Sequence, residues 1–139
     1  MKFTLIPENE KLSHPLMEEY RNTHDGEDFI DLDTGRDLII LHEGFDIIAG
    51  ISYNFTWLTE DIENIDITEL KVNENFRRQG YGTEIMKYIF KMAKNQKKPV
   101  TLVCRSDNPI GQNFFAKLHF KKIKNGELCV SYDDIARYY

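Results

Sequence analysis

Apolar residues change their spacing several times along this chain, and each change marks an element. In Lys2 to Ile6, Leu38 to Leu41, Ile47 to Phe55 and Ile65 to Val72 they fall in short runs rich in β-branched residues, which predict strands. Leu12, Leu16, Met17 and Tyr20 recur at helical spacing, with Ser13 as the expected cap and Pro15 tolerated in the first turn, so a helix should end near His24. In Thr83 to Lys94, Ile85, Met86, Ile89, Phe90 and Ala93 form an apolar stripe, while Glu84, Lys87, Lys91 and Lys94 face outward. Asn95 to Pro99 should end that helix. Val100 to Cys104 reads as a strand parallel to the central one, because strand-helix-strand crossovers return that way.

The linking segments carry their own signals. His42 to Asp46 is a hairpin connection with Gly44 inside it, and Asn108 should cap a helix with Pro109 in its first turn and Ile110, Phe114 and Leu118 on its buried side. Phe120 to Ile123 and Leu128 to Tyr132 should pair around Lys124-Asn125-Gly126. His24 to Asp33 gathers five acids around Phe29, Ile30 and Leu32, as a short helix or a loop. With no repeat or linker-like tract, the expected organisation is one compact α/β domain over residues 1–139, built on a mixed sheet.

Charge sharpens this picture. The total of −5 conceals an acidic half, residues 1–69 with 4 basic and 17 acidic side chains, and a basic half, residues 70–139 with 14 and 6. A polyphosphate suits the second and a cationic partner the first. An isoelectric point near 5.4 leads to the expectation of no nucleic acid partner. No apolar run reaches the length of a membrane span and none suits a signal peptide, so no membrane partner and a cytoplasmic location are expected. Cys104 and Cys129 lie in apolar runs without metal or redox spacing and read as buried free thiols, with no metal site.

The candidate chemistry sits between Ile65 and Glu84. A strand passes through Asn73-Glu74-Asn75 into Arg77-Arg78-Gln79-Gly80-Tyr81-Gly82-Thr83, and a helix follows. Glycines allow close backbone approach, and a helix N-terminus offers unpaired N–H groups and positive potential, a combination suited to phosphate. The Lys-Ser/Thr pair of a P-loop is missing, since Thr83-Glu84 follows the second glycine.

Arg-x-x-Gly-x-Gly at 77–82 resembles the acyl-CoA signature of the GCN5-related N-acetyltransferases, and Asn108 to Phe120 resembles a second element of that family; together the likeness covers about residues 65–124. It implies a mostly antiparallel mixed sheet flanked by helices, with a central parallel pair that splays apart to admit acetyl-CoA. Leu70, Lys71 and Val72 would meet the pantetheine, Arg77, Arg78, Gln79, Gly80, Tyr81, Gly82 and Thr83 the pyrophosphate, and Asn108 the cofactor as well as its own helix. The implied reaction is direct acetyl transfer to a primary amine, on a small cation or on a protein lysine or N-terminus. An ammonium must first lose a proton, and Asp66, then Glu69 on the opposite strand face, are the candidate bases. Dimers are common among similar proteins, which admits a homodimer here.

Three positions depart from the family pattern. Phe115 stands where many members have a tyrosine that protonates the leaving thiolate, which leaves Tyr81, Tyr132, a water or an unassisted departure. His119 stands at the usual glycine, and Val103 at the glutamate of members that acetylate ribosomal-protein N-termini, which argues against that specificity. The alternative function is a non-catalytic acyl-CoA-binding module.

Overall fold

A computed structural model describes residues 1–27, 29–30, 35–57, 59–96, 99–106, 108–124 and 126–139. Among the described residues, seven strands form one sheet in the order β1-β2-β3-β4-β5-β7-β6. They are β1 (Lys2–Ile6), β2 (Asp37–Glu43), β3 (Asp46–Trp57), β4 (Glu63–Val72), β5 (Val100–Arg105), β6 (Lys121–Lys124) and β7 (Glu127–Val130). The α-helices among the described residues are α1 (Pro15–Thr23), α2 (Tyr81–Lys94), α3 (Pro109–Lys117) and α4 (Tyr132–Tyr138). The chain divides into two compact units, residues 1–53 with 69–86, and residues 54–68 with 87–139.

In the first unit, β1, β2 and β3 are successive antiparallel neighbours. Their apolar residues meet those of α1 in a core of Ile6, Leu16, Met17, Phe29, Ile30, Leu38, Ile40 and Ile47. Gly50 has a packing reason: a Cβ there would come within 2.8 Å of the Phe29 ring and 2.9 Å of Ile40. The cap of α1 is His14, not Ser13, because Pro15 takes the first helical position and fixes the cap one residue before it. His14 Nδ1 accepts the N–H of Leu16 at 3.2 Å. Buried His42 is fully used: its Nδ1 donates to Gly44 O at 2.7 Å, which leaves Nε2 to accept the Thr4 hydroxyl at 2.7 Å.

In the second unit, β4 and β5 are parallel, with Glu63 opposite Val100 and Ile67 opposite Cys104. A buried polar chain holds this register. Thr101 Oγ1 donates to Asn64 Oδ1 at 2.9 Å, and Asn64 Nδ2 donates to Thr56 Oγ1 at 3.1 Å. Since unpaired buried polar groups are costly, a slip of either strand would leave buried Asn64 and Thr101 without their partners. β7 is antiparallel to β5 and β6 antiparallel to β7. Phe90 stacks on Tyr139 at 3.8 Å and packs obliquely on Phe120, which meets Phe115 edge to face.

Several expectations shift. β7 ends at Val130 and Tyr132 opens α4, whose N-cap Ser131 accepts the N–H of Asp134 at 3.3 Å. On α3, Ile110 is 84% exposed, whereas Phe115 is buried with Leu118, so the buried face is turned by about one residue. The calls on Leu32 and the neighbouring acids Asp28, Asp31 and Asp33, on Lys97 and Lys98, and on Asn125 lie outside the described residues.

Candidate functional site

The exit of β4 is anchored before it turns. Asn73 donates its backbone N–H to Ile48 O at 2.8 Å and its side-chain amide to Ile47 O at 2.9 Å. One 3-10 turn, Glu74–Phe76, follows, and Arg77 Nε reaches back to Val72 O at 3.1 Å. Arg77 is therefore part of the turn's own scaffold. Arg78 has φ +64° and Gly80 φ +84°, both in the left-handed region, so the chain reverses sharply and enters α2 at Tyr81.

This turn suits an anion. Glu84 N–H bonds Gly80 O at 3.1 Å, so the N–H groups of Tyr81, Gly82 and Thr83 have no carbonyl one turn back within the helix. Arg77, Arg78, Gln79 and Gly80 are exposed, and no heavy atom comes within 4 Å of where a Gly80 Cβ would stand. No acid lies between Glu74 and Glu84. Unpaired N–H groups, a helix N-terminus, two arginines and open space are the chemistry that a diphosphate needs. A left-handed arginine costs about 1 kcal/mol, which marks position 78 as held for its geometry. Of the strand residues before it, Leu70 and Val72 are half-buried, and exposed Lys71 places Nζ 5.7 Å from the centroid of the Phe29 ring. Glu69 is half-buried.

In the second unit, Asp66 is half-buried and opposite Val103. Its charge is felt by Cys104, whose thiol is pushed up to about 12, mainly by burial, then by Cys129 and Asp66. Cys129 is also pushed up, by burial first and then by Glu127 and Asp134. Both cysteines are free. Because Val103 faces Cys129 and Cys104 faces Leu128 across β5 and β7, the two thiols project from opposite faces and cannot pair. Asn108 caps α3, its Oδ1 accepting the N–H of Gly111 at 2.7 Å.

The departures at residues 115 and 119 acquire physical reasons. Phe115 is core, edge to face with Phe114 and Phe120. His119 adopts φ +72°, the conformation that glycine supplies without strain, and its ring stacks on Tyr138 at 3.6 Å. Tyr132 lines a cavity with Val100 at the start of β5, about 13 Å of strand away from the Cys104 end. It is remote from the end of the parallel pair that Asp66 and Asn108 approach. The Asn64 network escaped sequence reading, although an asparagine beside Ile65 in a strand was a usable signal.

Residues 6–120 match the model of the acetyltransferase (GNAT) family. Among solved structures, the chain is similar to the KacTA–DNA complex, at 14% identity over 98% of this chain and 97% of that one, with a TM-score of 0.63. It is similar to AtaTR bound with acetyl-CoA, at 12% identity over 97% and 96%, with a TM-score of 0.65. It is also similar to an aminoglycoside acetyltransferase from an uncultured soil metagenomic sample in complex with sisomicin, at 12% identity over 89% and 90%, with a TM-score of 0.64. At these identities the likeness shows the fold. No curated protein matches the chain.

One expectation is overturned. The exclusion of nucleic acid fails, because proteins of this fold occur in complexes with DNA. Its physical weakness was the reliance on a net charge of −5, an average that hides a half with a surplus of basic residues. Among the described residues no helix is long and apolar enough to cross a membrane, and no cluster of three or more potential metal ligands is found.

Proposed function

The chain belongs to the acetyltransferase (GNAT) family, and on that premise we propose that it transfers the acetyl group of acetyl-CoA directly to a primary amine. The observation that carries this reading is the turn at Arg77–Tyr81. Left-handed Arg78 and left-handed, open Gly80 deliver the chain into a helix N-terminus, with no acid between Glu74 and Glu84. In this reading Arg78, Gln79, Gly80, Tyr81, Gly82 and Thr83 hold the diphosphate, with Arg77 contributing charge while bracing the turn. The backbones of Leu70, Lys71 and Val72 receive the pantetheine amides, and Asn108 adds a contact while capping α3.

When bound, acetyl-CoA supplies an acyl group activated as a thioester. The chain's part is to orient the amine and take its proton. Asp66 is the first candidate for that role and Glu69 the second. A covalent relay through Cys104 is disfavoured: a thiol with a pKa pushed up to about 12 stays protonated at neutral pH and is a poor nucleophile. With Phe115 in the core and Tyr132 at the far end of β5, the departing thiolate takes its proton from Tyr81 or water, or leaves unassisted. The acceptor class is a small cationic amine, aminoglycoside-like or polyamine-like, or a protein lysine or N-terminus.

The test is thiol release from acetyl-CoA by the purified protein across polyamines, aminoglycosides, amino acids and lysine peptides. Release with one class supports transfer and names the acceptor. A second reading, an acyl-CoA-binding module without turnover, draws on Phe115; saturable binding with no thiol release would favour it. Absence of acetyl-CoA binding would sink both.

A further inference from the structure

Two neighbouring cavities of the second unit share one lining residue, Lys94, and neither serves the roles above. The larger, about 550 Å³, lies along the last turns of α2 and is lined by Lys87, Lys91, Lys94, Asn95, Tyr138 and Tyr139. The smaller, about 220 Å³, is an apolar notch of Ala93, Pro99, Val100, Tyr132, Ile135 and Ala136, with Lys94 its one charged neighbour among the described residues.

The period of α2 explains the first cavity. Residues 87, 91 and 94 fall at i, i+4 and i+7, so three ammonium groups line one helix face over about 10 Å. Lys91 forms no ion pair among the described residues, and Lys94 gives only one of its three donors to Tyr139 O, at 2.7 Å. Among the described residues no acid lines either cavity, and Asp134 of α4 is paired with Lys121 at 3.7 Å. Arg137, with its guanidinium 5.5 Å from the Tyr138 ring, extends the positive surface.

An anionic partner fits this charge, and the notch beside it decides which kind. A phosphate backbone carries nothing apolar to fill the notch. Nor are the rings open platforms for bases, since Tyr138 is stacked on His119 at 3.6 Å and Tyr139 on Phe90 at 3.8 Å. A volume of about 220 Å³ falls below the range of small-molecule pockets, roughly 300–1,000 Å³, yet admits one apolar side chain. Exposed tyrosine, 39% for Tyr132 and 45% for Tyr138, is a residue type that protein interfaces favour. A polypeptide that offers carboxylates beside a leucine or phenylalanine meets all of these conditions.

We propose that this face of the second unit docks an acidic segment of a partner protein, with one apolar side chain in the notch and carboxylates along Lys87, Lys91 and Lys94. The surface is independent of the acetyl-transfer reading, and its test omits acetyl-CoA so that the two fail separately. The probe is a fluorescein-labelled peptide, Glu-Glu-Asp-Leu-Glu-Glu-Leu-Phe-Glu-Asp. Its controls are the same peptide with serine in place of leucine and phenylalanine, and an oligothymidylate of equal charge. Anisotropy measures affinity, and amide shifts of the ¹⁵N-labelled full chain locate the contact.

Saturable binding is expected, severalfold tighter than that of the serine peptide, with shifts at residues 87–95 and 132–139. The Lys87→Glu/Lys91→Glu variant should weaken it about tenfold through two reversed surface charges. Ala136→Gln, an exposed and uncharged change that fills the notch, should weaken it severalfold. Thermal melts establish that both variants are folded. Binding that never saturates, equal affinity for the serine peptide, tighter binding of the oligothymidylate, shifts confined to residues 77–83, or unchanged affinity in both variants overturns the proposal.

Discussion

Replacing Gly80 with alanine separates what the turn needs for folding from what it needs for its ligand. Gly80 has φ +84°, so a Cβ adds about 1–2 kcal/mol of backbone strain. Nothing lies within 4 Å of that Cβ, so no steric term is added to the free protein. For a chain of this length the melting temperature should fall by about 3–8 °C, with folding retained. The methyl group instead takes up open space at the entrance to α2, which the diphosphate would fill in the proposed reading. Losing one charge-assisted hydrogen bond to a diphosphate costs about 1.5–3 kcal/mol, or roughly 10–150-fold in Kd. Arg78→Gly is the complementary change. It relieves a left-handed arginine at φ +64° and should raise stability by up to about 1 kcal/mol, while weakening acetyl-CoA by only a few-fold through the loss of one exposed charge. Calorimetry with acetyl-CoA and thermal melts on both variants decide the matter. If folded Gly80→Ala binds acetyl-CoA as the wild type does, the turn is not the diphosphate site.

Asp66→Asn should leave acetyl-CoA affinity within a few-fold and lower turnover by about 10²–10⁴-fold if Asp66 is the base; undiminished rates across the pH range remove it from the reaction. Asn64→Ala strands the buried Thr101 hydroxyl and should cost about 1–3 kcal/mol in chemical denaturation, whereas Asn64→Leu with Thr101→Val should cost less because both partners become apolar. A milder single than double change would refute the pinning role. Cys104 should resist alkylation at pH 8 in the native protein and react once it is unfolded. Its thiol is raised from 9.0 to about 12, so the native state keeps a proton that the unfolded state gives up. The stabilisation is complete below pH 9 and lost as pH rises through 12; a Cys104→Ala variant that keeps the same alkaline slope would rule this group out as its source.

Much of the fold was legible because period and β-branching report burial directly. The stripe of Ile85, Met86, Ile89, Phe90 and Ala93 is buried as its spacing requires, and the Val100 strand returns parallel to β4 as crossover handedness demands. What escaped reading was decided by local competition. Tyr132 continues an apolar run, yet Ser131 and Asp134 form a cap that ends the strand and begins α4. On α3 the aromatic pair Phe114-Phe115 offered two faces, and the edge-to-face contact of Phe115 with Phe120 chose the second. Ile110 was left in solvent by that choice.

The candidate site was legible only where chemistry and backbone geometry coincide. The glycine at 80 announces a left-handed turn, so the phosphate-type loop can be placed from letters alone. Arg78 and His119 adopt the same region without any such announcement, each needing tertiary support to hold it. For His119 that support is the stack on Tyr138, a residue of α4, the one α-helix that sequence spacing had hidden. A cavity beside α1 follows the same rule. Its acids lie 27 positions apart in the sequence, Glu19 on a helix and Asp46 at a hairpin, and no periodicity links them. Only the folding of the first unit brings them into one lining, so a cavity wall can be assembled from positions that no motif links.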